Sequence, residues 1–224
     1  ENATVITGVA LEEAVDRVVG GPRRKGRIIS EHEKKITAYH EGGHALLATV
    51  LPHGDPVHKV TILPRGMALG VTMTLPEEDR YSLTRDQILA RIKHAMGGRA
   101  AEELVFGHFS TGAANDIKQA TESARRMVCS YGMSDRIGPM SLADNDTDVF
   151  LGRDFVTRKD YSEKKMQEVD EEISRILRTL YDEAKQMLAE NRLSLDRIAD
   201  ALLERESLEG ADLKDALAFA ERLQ

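Results

Sequence analysis

The chain has 224 residues, 41% of them hydrophobic and 31% charged, which is enough material for one large globular domain or two small ones. Its net charge of -7 argues against nucleic acid as a partner, and no run of about 20 apolar residues predicts a membrane span. The single cysteine, Cys129, excludes an internal disulfide. We therefore expect a soluble protein from a reducing compartment.

The first 29 residues differ in pattern from the rest of the chain. They predict a short amphipathic helix at 9–19, a Gly-Gly-Pro break and a basic link at 23–27. We place a boundary after this link, so that 1–29 form a tail and 30–224 form the main domain. The chain begins at Glu1 rather than Met, which leads us to expect a piece of a longer protein.

A long helix is predicted at the start of the main domain. Ser30 followed by Glu33 resembles a capping box, which favours a helix start, and Pro52 favours its end. Apolar positions between them recur at steps of three and four, as expected for one face of a helix.

This helix contains the sequence H-E-x-x-H at 40–44. Residues four apart lie on the same helix face, so His40 and His44 could chelate one zinc ion, with Glu41 beside them as general base. Two histidines hydrogen-bonded in the core are the alternative, and the intervening glutamate makes that alternative less favourable.

Two consecutive glycines, Gly42 and Gly43, interrupt the same helix. Each costs about 1 kcal/mol relative to alanine in a helix interior. Their missing side chains predict that another backbone comes close, either at the metal or in ordinary helix packing. The sequence leaves both alternatives open.

Two segments after the helix predict a small hairpin. The β-branched, partly alternating stretches at 57–63 and 69–75 flank a turn at 64–66. The second stretch could bind an extended peptide as an added strand, which would read the peptide backbone rather than its sequence and give broad specificity.

The remainder of the chain is predicted to be mainly helical. The irregular segment 132–158 carries an acidic cluster of Asp144, Asp146 and Asp148, but this cluster lacks the glycine and distal glutamate of a calcium loop, so we expect a solvated loop. The fold class is therefore mainly α, with an H-E-x-x-H helix and a small β-hairpin or sheet near the active site. The predicted helices are 84–106, 115–131, 161–191, 194–205 and 210–223.

A catalytic zinc ion needs a third protein ligand and an open position for water. The chain does not continue the motif with a nearby histidine, so the third ligand must lie far along the sequence. Spacing alone does not choose among the candidates. They are Glu102, Glu103, Asp116, His94, His108 and the loop aspartates.

Four blocks of the chain resemble the protease domain of the FtsH family of membrane-anchored, ATP-dependent zinc metalloproteases. Segment 11–18 also resembles the end of the ATPase module that precedes the protease domain in that family. Gly42 departs from the alanine usual in the family, at a position that touches neither ligands nor base. The blocks, in family order, are 36–46, 57–62 with 64–66, 97–103 and 111–117.

The resemblance implies that His40, His44 and Asp116 bind zinc. It also implies that Glu102 or Glu103 orients a ligand histidine, without deciding which of the two. The implied reaction is peptide-bond hydrolysis in unfolded or extended polypeptide, with Glu41 accepting the proton of a zinc-activated water and passing it to the leaving amine.

The resemblance further implies a larger assembly. The chain has no G-x-x-x-x-G-K-[ST] motif, so we expect ATP to be used by a module absent from it. The implied parent protein is a homohexamer in the bacterial inner membrane, with this domain on the cytoplasmic side and unfolded or membrane proteins as substrates for quality control. The alternative is a helical oligomerisation or adaptor module with a vestigial metal site, against which the intact Glu41 argues.

Overall fold

The structure, a computed structural model, describes residues 6–19, 21, 29–64, 68–75, 81–142, 161–218 and 220. The predicted basic link, most of the predicted turn and the acidic cluster at 144–148 lie outside them. No helix in the described ranges is long and apolar enough to span a membrane. The described elements are α1 (Gly8–Val19), α2 (Glu31–Val50), β1 (Val57–Thr61), β2 (Val71–Thr74), α3 (Arg85–Phe106), α4 (Ala114–Cys129), α5 (Glu163–Glu190), α6 (Arg192–Arg205), β3 (Ser207–Glu209) and α7 (Gly210–Leu217).

The mainly α fold is organised around α2. The hydroxyl of Ser30 accepts the N–H of Glu33 at 3.2 Å and begins the helix, and Leu51 ends it just before Pro52. Helices α3 and α6 and strands β1 and β2 pack around α2. Burial therefore extends around most of the second half of the helix instead of following one apolar stripe.

Helices α2 and α3 cross at two glycines. A Cβ atom added to Gly43 would lie 2.4 Å from the carbonyl oxygen of Gly97, so neither residue has room for a side chain. A Cβ on Gly42 would meet Leu195 Cδ1 at 3.4 Å, which is an ordinary contact. Close helix packing therefore explains Gly43, whereas Gly42 has no comparable steric requirement.

The predicted hairpin is confirmed as part of a three-stranded sheet. Strand β1 pairs antiparallel with β2, where Thr61 faces Val71, and the strand order is β2-β1-β3. The other edge of β1 pairs antiparallel with β3, where Lys59 faces Glu209. This third strand was not predicted. The sheet packs against α2, which brings β2 next to the H-E-x-x-H residues.

The predicted helices of the second half are confirmed, with shifts at their ends. Helix α4 ends at Cys129 instead of residue 131, and α6 begins at Arg192 instead of residue 194. Helix α7 ends at Leu217, before the predicted end at residue 223, which lies outside the described residues. Helix α5 packs along α3 and α4, so α3 is enclosed between α2 and α5. The single cysteine is buried.

Candidate metal centre

Three side chains bring their donor atoms to one point. The Nε2 atoms of His40 and His44 are 3.1 Å apart, and Asp116 Oδ2 lies 3.2 Å from the first and 3.5 Å from the second. Zinc bonds of about 2.0–2.1 Å in a tetrahedral arrangement would place neighbouring ligand atoms about 3.3 Å apart. The three separations therefore fit one zinc ion. Within the described ranges, this is the one such cluster of three.

The other ring nitrogen of each histidine is already engaged. His44 Nδ1 lies 2.8 Å from the main-chain oxygen of His94, and His40 Nδ1 lies 2.7 Å from Glu102 Oε1. Both partners accept hydrogen bonds, so Nδ1 carries the hydrogen and a neutral ring presents a lone pair at Nε2. Two such lone pairs and a carboxylate oxygen repel one another unless a cation lies between them.

The charges of the cluster favour a positive charge at its centre. Burial lowers the pKa of His40, but hydrogen bonds to Asp116 and Glu102 outweigh it and raise the pKa to about 10. Burial also raises the pKa of Asp116, but hydrogen bonds from His40 and His44 hold it well below its usual range. Without metal, a proton on His40 therefore takes the place that a metal cation would occupy.

A capped turn positions Asp116 in the cluster. It is the third residue of α4, directly after a 3-10 turn at Thr111–Ala113, and the hydroxyl of Ser110 accepts the N–H of Gly112 at 3.1 Å. The N–H of Ser110 donates to Glu102 Oε2 at 2.5 Å. Glu102 therefore holds two groups in place, the ring of His40 and the loop that leads to Asp116.

The structure distinguishes Glu102 from Glu103. Glu102 is almost fully buried, and although burial raises its pKa, hydrogen bonds from His40 and Ser110 lower it overall, so the carboxylate stays ionised. Glu103 binds Lys185 Nζ at 2.8 Å and accepts a hydrogen bond from Tyr181. Glu102, and not Glu103, therefore contacts a histidine of the cluster.

Two other candidate ligands lie apart from the cluster. The ring of His94 is 5.4 Å from that of His44, and burial first and then the nearby His44 lower its pKa to about 3. His94 is thus neutral, and it supports the cluster through its main-chain carbonyl, which accepts the hydrogen bond from His44. The ring of His108 stacks on Phe106.

Glu41 lies in the same cleft as the cluster. The cleft measures about 750 Å³ and is bounded by α2, the segment 68–72, α3 and the start of α4. Glu41 is 6% exposed, and its Oε2 accepts a hydrogen bond from Thr72 at 2.7 Å. A carboxylate held at the edge of a cleft beside a candidate metal site is suited to accept a proton.

Several residues of the site were not found from the sequence. A Cβ on Gly98 would lie 2.3–2.5 Å from three atoms of the His40 ring, so this ring rests directly on the α3 backbone. The pair at 97–98 was visible only as part of a resemblance block. The main-chain carbonyl of His94 leaves no signal in a sequence, and Ser110 and Thr72 are ordinary hydroxyl residues until the fold places them.

Comparisons with known proteins identify a family and several relatives for the chain. The sequence model described as "Peptidase family M41" matches residues 27–216. The chain is 54% identical to an ATP-dependent zinc metalloprotease FtsH of Rhodococcus erythropolis over 222 residues, which are 99% of the chain and 26% of that protein. It is 51% identical over 208 residues to the FtsH protein of Pseudothermotoga lettingae, covering 92% of the chain and 33% of that protein.

A third relative shows how much of such a protein is represented here. An ATP-dependent zinc metalloprotease FtsH of Thermotoga maritima is 47% identical over 97% of the chain, which is 36% of that protein. The chain therefore spans about a third of the length of the curated relatives it matches.

Proposed function

Because the chain belongs to peptidase family M41, we propose that it is a zinc-dependent endopeptidase domain that hydrolyses unfolded or extended polypeptide. In this proposal His40, His44 and Asp116 hold the zinc ion. The observation that carries it is the convergence of three donor atoms, 3.1–3.5 Å apart, in the cleft that also contains Glu41.

The residues of the chain divide the chemistry among them. Zinc bound here would lower the pKa of water to about 7 and polarise a peptide carbonyl. Glu41 accepts a proton from the attacking water and later gives it to the leaving amine. Glu102 and the carbonyl of His94 keep the Nδ1 protons of His40 and His44, so that each ring offers Nε2 as a ligand.

The sheet supports binding of an extended substrate. Strand β2 is an outer strand of the described sheet, and its residues Val71 and Thr72 line the cleft. A polypeptide paired with that strand would present its carbonyl groups along the cleft one after another. Such pairing uses main-chain hydrogen bonds, which supports broad specificity for unfolded segments.

The proposal extends to the longer protein to which this domain would belong. Relatives about three times as long are named ATP-dependent, which supports an ATP-using module that unfolds substrates and feeds them to this domain. The resemblance supports a homohexamer in the bacterial inner membrane with the domain on the cytoplasmic side. Its substrates would be unfolded or membrane proteins in quality control.

Zinc analysis combined with a hydrolysis assay tests the proposal. The purified chain should carry about one zinc ion and cleave an unfolded, casein-like substrate without ATP, and a chelator should abolish the cleavage. A helical adaptor with a vestigial metal site would fold normally but would not cleave. A folded, zinc-loaded chain that leaves every unfolded substrate intact therefore rejects the proposal in favour of the adaptor.

A further inference from the structure

Thr72 is in direct contact with the proposed general base. Its Oγ1 lies 2.7 Å from Glu41 Oε2 and 3.1 Å from the main-chain oxygen of Glu41. A hydroxyl has one hydrogen to donate, and the shorter distance leads to the charged oxygen, which forms the stronger bond. Thr72 therefore donates its hydrogen bond to Oε2 of the Glu41 carboxylate.

The other side of the carboxylate lies against Gly70. A Cβ atom at Gly70 would lie 2.7 Å from both Cγ and Oε1 of Glu41, and 2.9 Å from Cγ2 of Thr37. The space that a side chain would take at this position is thus filled by Glu41 itself. The segment 70–72 holds the glutamate from two directions, with a hydrogen bond on Oε2 and the chain backbone beside Oε1.

We propose that Thr72 is a positioning residue for peptide hydrolysis, and that it leaves Oε1 of Glu41 as the oxygen that takes the proton. In this step an O–H bond of the attacking water breaks, while an O–H bond to Oε1 and a C–O bond to the peptide carbonyl carbon form. The C–N bond then breaks as the proton passes from Oε1 to the leaving nitrogen. The inference rests on the proposed function and adds to it the residue that orients the base.

The position of Thr72 on β2 gives this contact a second consequence. The strand proposed to pair with the substrate also holds the base, since Val71 and Thr72 both line the cleft. A peptide aligned on β2 is therefore aligned relative to Glu41. Fixed geometry of this kind contributes to the reaction rate, because small displacements of a reacting group cost large factors in rate.

Substitutions at 72 and 74 test the inference on the zinc-loaded chain. Thr72→Val keeps the shape and removes the hydroxyl, and should lower kcat about tenfold or more with KM nearly unchanged. Thr72→Ser restores the hydroxyl and should recover most of kcat. Thr74→Val is the matched control, because Thr74 lies two residues further on β2, on the same face. All variants should keep about one zinc ion.

A binding measurement separates orientation of the base from contact with the substrate. In the Glu41→Gln background, where cleavage is absent, adding Thr72→Val should leave the affinity for a fluorescent unfolded peptide unchanged. A loss of affinity as large as the loss of kcat would make Thr72 a substrate contact and overturn the inference. A crystal structure of Thr72→Val should show the Glu41 carboxylate displaced, and an unmoved carboxylate also overturns it.

Thermal unfolding shows whether each variant is folded. If Thr72→Val does not fold, Thr72→Ala removes the same hydroxyl with a smaller side chain and replaces it in every assay. Unchanged kcat in a folded variant without the hydroxyl, beside an active unsubstituted chain, refutes this inference alone. An inactive unsubstituted chain refutes the proposed function instead.

Discussion

The carboxylate of Glu102 holds His40 through the Nδ1 nitrogen of the ring, at 2.7 Å. Glu102→Gln keeps the size of the side chain but replaces one accepting oxygen with an NH₂ group. That group would face another donor, either His40 Nδ1–H or the N–H of Ser110, and the hydrogen bond there would be lost. We expect zinc affinity to fall about 10–100-fold, as is usual when a partner of a ligand histidine is lost. Chelator competition measures this. Glu103→Gln is the control, and an equal loss there would contradict the role assigned to Glu102.

Asp116→Asn should also weaken zinc binding tens-fold or more, because it removes the negative charge of a proposed ligand while keeping its size. Activity should fall in parallel and be partly restored by excess zinc. Glu122→Gln, at an exposed position of the same helix, is the matched control. Full zinc affinity in Asp116→Asn would return Asp116 to the simple role of an acidic residue in the first turn of α4.

Glu41→Gln should keep about one zinc ion per chain and abolish hydrolysis, because an amide does not accept the proton of the attacking water. His40→Ala and His44→Ala should lose both metal and activity, since two remaining ligands hold zinc poorly. Elemental analysis and peptide cleavage, run on the same samples, measure the two effects. Residual hydrolysis at the original rate in Glu41→Gln would remove Glu41 from the mechanism.

The two adjacent glycines of α2 should respond in opposite ways to alanine. Gly43→Ala forces a methyl group against the backbone at Gly97 and should lower the free energy of unfolding by about 1–3 kcal/mol. Gly42→Ala adds a methyl at ordinary contact distance from Leu195, so the helix preference for alanine, about 1 kcal/mol, should leave it neutral or stabilised. Urea unfolding of the two variants checks this, and similar midpoints would argue against the close helix crossing.

The metal-free chain should lose stability as the pH rises from about 6.5 towards 10. Burial lowers the pKa of His40, but hydrogen bonds to Asp116 and Glu102 raise it from 6.5 to about 10. The folded state therefore binds this proton more tightly than the unfolded state. The resulting stabilisation is complete below 6.5 and disappears as the pH passes through the folded value. Thermal unfolding after chelator treatment measures the loss.

Two further measurements check the origin of that pH dependence. The pKa of Asp116 is lowered, so its contribution is present above 3.8 and is lost only as the pH falls further. Asp116→Asn should therefore flatten the slope between 6.5 and 10 by removing a partner of His40. Zinc should remove the slope as well, because it displaces the proton. A slope unaffected by either change would assign it to other groups.

The sequence predicted the parts of this domain that follow from local pattern. Helix α2 with its Ser30 cap and the hairpin of β1 and β2 were found because periodicity, capping and turn residues act over a few positions. Strand β3 was missed because three residues between two helices have no measurable period. Its partner, β1, lies about 150 residues earlier in the chain.

The candidate site likewise combines residues predicted from local sequence pattern with contacts that only the folded structure creates. The proposed ligands on α2 were predicted from spacing within one helix, whereas Asp116 was one of several candidate ligands until the family resemblance selected it. Contacts that depend on the packing of α3 against α2 had no sequence signal. These include the His94 carbonyl and the bare surface at Gly98, which exist only once the two helices cross.

The pairing of β1 with both β2 and β3 also bears on how this protein is made. During synthesis α2 and β2 are produced early, and Ser207–Glu209 follows only after helices α3 to α6. Until then one edge of β1 has no partner strand, so the sheet that contains β2 is incomplete. If the domain cleaves polypeptide as proposed, a partly synthesised chain therefore lacks the complete sheet beside its cleft.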